Sequence, residues 1–290
     1  MAVEQHTARR FGNAGARLAE GPLWDSVDQC LYWTDIDGRT LHRVDLDGTE
    51  TVVLDGYEVT GFGLRAAGGL VLALPDRFAV LERGAATPRT LAEVPAARPG
   101  MRLNDAACDP AGRLWSGTMA RDLRPGLAHL YCLEPNGEVR TMVDGVGLSN
   151  GIDWSGDGRF MYYVDSLAGT VDRFDFDPDS GRIGGRRRVL DVDGFSTEPG
   201  RMVVADGLCV DADDCLWVAV HGAGEVRRFA PTGALLARVS LPLSGVTSCT
   251  FGGPDLDILF ITAAATGSAS GGVFQVSLGQ KGREPDRFRG

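Results

Sequence analysis

The chain is poor in the side chains that build histidine or thiol metal sites. Its four histidines, at positions 6, 42, 129 and 221, do not cluster, so a His-rich zinc site is excluded. Six cysteines (30, 108, 132, 209, 215 and 249) include no CxxC pair, and most lie in strand-like runs such as LYCLE and GLCVD. They read as free, buried thiols in a reducing cytoplasm, because a disulfide framework belongs to smaller secreted chains. No apolar run approaches the roughly 18 residues that would span a bilayer. The N-terminal MAVEQHTARRFGN does not read as a signal peptide. Basic charge is short as well. A net charge of −10 argues against nucleic acid and anionic membranes as partners. The run Arg186-Arg187-Arg188 reads as a solvated strand edge. There is no GxSxG elbow, no serine paired by motif with a histidine, and no phosphate loop of Rossmann or P-loop spacing. Helical periodicity is nearly absent, which excludes a helical solenoid.

Glycine and proline are plentiful, at 40 and 14 residues, and they fall at regular turns. LYWTDIDGRTLHRVDLDG (31–48) reads as strand, turn, strand, turn. Its YWTD resembles a blade of the receptor-type propellers that bind protein ligands. The tetrapeptide occurs once, however, with YYVD as its nearest echo. A receptor propeller would carry it in most blades, so the binding reading weakens.

Six segments share one plan of apolar run, Gly/Asp turn and apolar run. The residues opening their second strands are Leu31, Leu70, Leu114, Phe160, Leu216 and Leu259, spaced by 39, 44, 46, 56 and 43. Periods near 45 with short strands describe four-stranded blades. The expected fold is all-β: one six-bladed β-propeller domain over residues 1–290. The segment before Glu20 should pair with the last blade and close the ring.

In a propeller, equivalent inner-strand positions form a ring around the axis. Counting back ten or eleven residues from the anchors gives Asn104, Asn150, Asp206 and Glu20, with Thr60 and Cys249 in the other two units. Asn-Gly and Asp-Gly are common turn dipeptides, and turn chemistry explains each motif singly. Together they bring two carboxylates and two amide oxygens to one mouth, a set suited to a hard divalent ion. Second strands return to the same mouth, which makes Asp35, Asp122, Asp165 and His221 candidates around it. Arg102, two before Asn104, should also point there.

AEGPLWD, RLNDAACDPAGRLWSGTMA, GLSNGIDWSGDGRFMYYVDS, DGLCVDADDCLWVAV and TSCTFGG resemble the gluconolactonase/senescence-marker (regucalcin) family from about Leu18 to Leu278. The resemblance implies a six-bladed propeller hydrolysing sugar lactones to aldonic acids with one divalent ion. It implies Glu20, Asn150 and Asp206 as metal ligands, and Arg102 and Asn104 as substrate-binding. The acidic pair that follows GTMA in animal members is Arg121-Asp122 here, so the substrate-contacting carboxylate would be the shorter Asp122. RLND continues with Ala106-Ala107 rather than Gly-Lys. Asp206 is expected to serve as ligand and general base. With no nucleophile motif, water attacks directly and no acyl-enzyme forms. Oxygen ligands admit Ca, Mg, Mn, Fe or Zn. Two alternatives remain at this level, a related phosphotriesterase-type propeller and a non-catalytic calcium- or protein-binding propeller.

Overall fold

The computed structural model describes residues 2–95, 98–191, 196–198 and 201–290. Among them lie twenty-six strands in six sheets and no helix. Two N-terminal strands, β1 (Glu4–Thr7) and β2 (Arg9–Ala16), precede the first blade. Blade 1 is β3 (Ala19–Asp25), β4 (Cys30–Asp35), β5 (Thr40–Asp45) and β6 (Glu50–Asp55). Blade 2 is β7 (Gly61–Leu64), β8 (Leu70–Ala73), β9 (Arg77–Leu81) and β10 (Arg89–Glu93). Blade 3 is β11 (Met101–Cys108), β12 (Leu114–Ala120), β13 (Ala128–Leu133) and β14 (Val139–Val146). Blade 4 is β15 (Ser149–Trp154), β16 (Phe160–Asp165), β17 (Thr170–Asp177) and β18 (Arg182–Asp191). Blade 5 begins with a short β19 (Ser196–Glu198) and continues through β20 (Arg201–Val210), β21 (Leu216–His221), β22 (Glu225–Phe229) and β23 (Leu235–Ser240). Blade 6 is β24 (Val246–Gly252), β25 (Ile258–Ala263) and β26 (Gly271–Ser277).

The chain is all-β, and its six blades form the propeller that the repeat spacing predicts. Ring closure is more divided than expected. Strand β2 completes blade 6 by pairing with β26, whereas β1 adds a parallel edge to β23 of blade 5. β1 and β2 thereby become the outermost strands of their sheets.

Local sequence explains the hairpins. In Asp109-Pro110-Ala111-Gly112 the Gly112 N–H donates to Asp109 O at 2.9 Å, with Gly112 at φ +86°. Proline presets the second residue of such a turn, and glycine accepts the left-handed φ at its end.

The core is six clusters, one at each seam between neighbouring blades, rather than one central mass. All five tryptophans are fully buried in these layers or beside them. Two are held by the same device. Trp115 Nε1 donates to Asp109 Oδ2, and Trp217 Nε1 to Asp211 Oδ2, each at 2.9 Å. Each carboxylate also accepts from a buried arginine, Arg113 or Arg228. Arg186, on the outermost strand of blade 4, lies against Asp172, in keeping with an edge role for its run. All six cysteines are free, and five of them are buried.

Candidate functional site

The axis is crowded because inner strands touch in turn around it. Thr247 Oγ1 donates to Ala19 O at 2.6 Å, joining blade 6 to blade 1. A Cβ on Gly151 would lie 2.6 Å from Leu208 N and 2.8 Å from Asp206 O. A Cβ on Gly207 would lie 2.1 Å from Ser248 Oγ. Neither glycine has a positive φ. Their Asn-Gly and Asp-Gly dipeptides therefore serve close strand approach, which corrects the turn explanation.

The shared offset has a structural cause. Register slips between inner and second strand at Glu20/Leu23, Leu103/Ala106, Ser149/Ile152 and Ala205/Leu208. A bulge leaves ladder positions unpaired and re-aims side chains. Glu20, Asn104, Asn150 and Asp206 each sit in or beside such a bulge. Asn104 and Asp206 lie inside their strands rather than at the first residues, so the offset measures the distance to the bulge. The two remaining equivalents turn into the protein: Thr60 Oγ1 donates to Ala73 O, and Cys249 Sγ faces Trp217 O.

A hydrogen-bonded chain links three of these bulges. Arg102 Nη1 donates to Asn104 Oδ1 at 2.7 Å. Asn104 Nδ2 donates to Asn150 Oδ1 at 2.6 Å and to Ser149 O at 2.8 Å. Asn150 Nδ2 donates to Ser166 Oγ at 2.8 Å, and that hydroxyl donates to Ala205 O at 2.6 Å. The Ser166 contact fixes the Asn150 amide so that its oxygen faces the axis. Arg102, Asn104, Asn150 and Asp206 are all buried.

Electrostatics mark the same place. Burial, and after it the charge of Asp105, push Glu20 up to about 8, while Arg102 pulls it back. Burial first, then Glu20 and Asp105, push Asp206 well up. Burial also pushes Asp105, which the sequence reading did not single out, up to about 6. Like charges gathered in a poorly solvated mouth favour protons or a cation. Two carboxylates and an oriented amide oxygen match the hard-oxygen donors of a divalent ion, so the residues present fit one. Among the described residues no group of three His, Cys, Asp or Glu side chains converges as a metal cluster.

The other candidates divide. His221 Nδ1 is 3.7 Å from Asp206 Oδ2 and has no hydrogen-bond partner, and burial pushes the imidazole down toward its neutral form. Asp35 does not face the site. It accepts the N–H groups of Arg17, Leu18 and Gly38. Asp165 does the same for Gly147, Leu148 and Ala168. Both tie the chain entering a blade to the loop after its second strand. Asp122 is 57% exposed and accepts from Arg124 Nε at 2.7 Å, outside the Arg102–Asn104–Asn150 chain. Arg121 instead donates to Glu58 at 2.6 Å. Glu58 was not anticipated, although a signal existed: it precedes Thr60 by two, as Arg102 precedes Asn104. Below the mouth the axis holds a cavity of about 120 Å³, lined among others by Asp105, Asp153, Cys249 and Arg283.

Fold and mouth together define a six-bladed propeller with an acidic, amide-lined axial site. The chain belongs to the SMP-30/Gluconolactonase/LRE-like region family, which matches residues 18–265. It is similar to regucalcin of Gallus gallus, at 37% identity over 296 residues, covering 96% of this chain and 97% of that protein. A solved luciferin-regenerating enzyme is 30% identical with a TM-score of 0.85, covering 95% of this chain and 96% of that one. A regucalcin of Agrobacterium tumefaciens strain C58, described as a calcium-binding protein, is 26% identical with a TM-score of 0.91, covering 100% and 99%.

Proposed function

We propose that the chain is a divalent-metal-dependent lactonase that opens sugar lactones to aldonic acids. The observation that carries this reading is the hydrogen-bonded line from Arg102 through Asn104 to Asn150, set beside Glu20 and Asp206. Such a line supports more than an ion site, because it offers a guanidinium and an amide that would meet a bound molecule's oxygens. Glu20, Asn150 and Asp206 would hold one ion, of Ca, Mg, Mn, Fe or Zn. When bound, the ion would polarise the lactone carbonyl and acidify water.

The chain's own groups supply the rest. Arg102 and Asn104 orient the lactone through its oxygens, where positioning contributes much of the rate. The Asp206 carboxylate takes a proton from the attacking water. His221 Nδ1 stands 3.7 Å from Asp206 Oδ2, and burial favours the neutral imidazole. Asp122 joins the substrate only by leaving Arg124. The expected partner is the small-molecule lactone alone, and the six free thiols support a cytoplasmic setting.

The description of the Agrobacterium relative favours a second reading, a calcium-binding propeller without catalysis. One experiment separates the two. Chelated protein is reloaded with each metal and assayed on a lactone panel with a pH indicator. The lactonase reading expects no rate after chelation, restored rate after reloading, and heavy oxygen from solvent water in the product carboxylate with no covalent adduct. If metal-free protein is as fast, or if no lactone exceeds its spontaneous opening, the reading fails. The binding or phosphotriesterase alternatives then lead.

A further inference from the structure

We infer that Glu58, clamped by Arg121 across the seam between blades 2 and 3, is the carboxylate that reads the hydroxyls of a neutral, polyhydroxylated lactone. The inference rests on the lactonase reading of the same mouth and names what selects the substrate there.

Position comes first. Thr60 and Asn104 occupy equivalent places in blades 2 and 3, and Glu58 and Arg102 each stand two residues before them. Glu58 and Arg102 are thus equivalent residues of neighbouring blades, at the same end of the axis. Arg121 follows directly on β12, whose end returns to that mouth, and its N–H donates to Gly100 O at 2.8 Å. Its Nη2 donates to Glu58 Oε1 at 2.6 Å, and Glu58 is 22% exposed. One carboxylate oxygen is thereby occupied and the side chain is fixed. The other oxygen, Oε2, can accept from a ligand. A carboxylate held this way suits a sugar hydroxyl, which can donate to it and also accept from a guanidinium.

Charge selects the class. Burial bears most on Arg102, and after it come the charges of Glu20, Glu58, Arg121 and Asp37. Glu20 belongs to the ion set with Asp206. Of these charges, the Glu58 and Asp37 carboxylates offset the Arg102 and Arg121 guanidiniums. Cations already paired with carboxylates in this way add little attraction for a phosphate or a second carboxylate. The paired groups offer both donors and acceptors, as a neutral polyol requires.

The test compares Glu58→Gln and Arg121→Ala with the parent chain on two lactones. D-glucono-δ-lactone carries hydroxyls, and δ-valerolactone has the same ring without them. Losing a hydrogen bond to a partly exposed hydroxyl site is expected to lower kcat/KM by about 10-fold or more on the hydroxylated lactone. The change should appear in KM, with valerolactone within about twofold of the parent on the same argument. The parent should also prefer the neutral lactone to its 6-phosphate. Equal losses on both lactones, no loss on either, or a preference for the phosphate would overturn the inference. If the parent opens no lactone, the lactonase reading falls separately. Calorimetric binding of a hexitol to the metal-loaded protein then decides this inference, which weakened binding in Glu58→Gln keeps and unchanged binding rejects.

Discussion

Asp206 meets three demands at once. It sits in the blade 5 bulge, it is buried, and it feels the charges of Glu20 and Asp105. Its replacement by alanine removes one of only two carboxylates proposed to hold the ion. Asp206→Ala is therefore expected to lose both bound metal and activity, measured by elemental analysis and the lactone assay on the same sample. Full metal occupancy in that variant would refute the ligand assignment. The candidate ligands were legible in the sequence because each bulge lies a nearly constant distance before a strong apolar anchor, Leu31, Leu114, Phe160 or Leu216. Asp35 and Asp165 were misread for the complementary reason. Strand direction places them at the mouth, but it cannot show the nearby backbone N–H groups that turn their carboxylates inward. Asp122 shows the limit of register. It was carried to the mouth by the strand before it, whereas it pairs with Arg124 and its neighbour Arg121 pairs with Glu58.

At the scale of the element, the blades depend on short polar turns with their own electrostatics. The turn after β15 is Ser155-Gly156-Asp157-Gly158. Asp157 accepts from Ser155 Oγ at 2.7 Å and from the N–H of Arg159 at 3.1 Å. The Ser155 bond first, and then Arg159, hold the carboxyl down to about 2 from its ordinary 3.8. A carboxyl depressed in the folded state contributes stability that is complete above the unfolded value and is lost as pH falls through the folded one. Asp157→Asn should therefore lower the urea midpoint at pH 7. The gap to the parent should narrow once pH drops below 3.8 toward about 2. Midpoints at pH 7, 5 and 3 read this directly, and a gap as wide at pH 3 as at pH 7 would rule out the carboxylate as its source. Such turns were legible as Gly/Asp clusters. The bulges between them were not, because a register slip leaves no composition of its own.

The whole molecule is closed twice, and only one closure could be foreseen. Of the N-terminal strands, β2 completes blade 6 and β1 adds an outer strand to blade 5. The second closure is the C-terminal segment, which runs across the face opposite the mouth. Gly282 N–H donates to Leu256 O in blade 6, and the Arg283 guanidinium donates to Trp154 O and Val210 O at the ends of β15 and β20. Arg287 donates to Asp25 of blade 1 at 2.6 Å. Phe288 is fully buried in the seam between blades 2 and 3, among Val71, Phe78, Leu114 and Tyr131. Its N–H donates to Leu64 O, and its carbonyl accepts from Ala66 N, each at 2.8 Å. In sequence this stretch is GREPDRFRG, charged and without alternation, and a single aromatic gives no period to read. The structure makes that aromatic a wedge. Phe288→Ala should leave a cavity in the seam and lower stability by about 3–5 kcal/mol, the range for a buried phenylalanine. Thermal unfolding should stay a single transition at a lower Tm, because the seam is shared by two blades and cannot melt in one alone. Metal content should not change, since Glu20, Asn150 and Asp206 lie at the other end of the axis. A variant with an unchanged Tm would show that Phe288 is not a wedge, and a variant that loses its metal would show that the two ends of the channel are coupled.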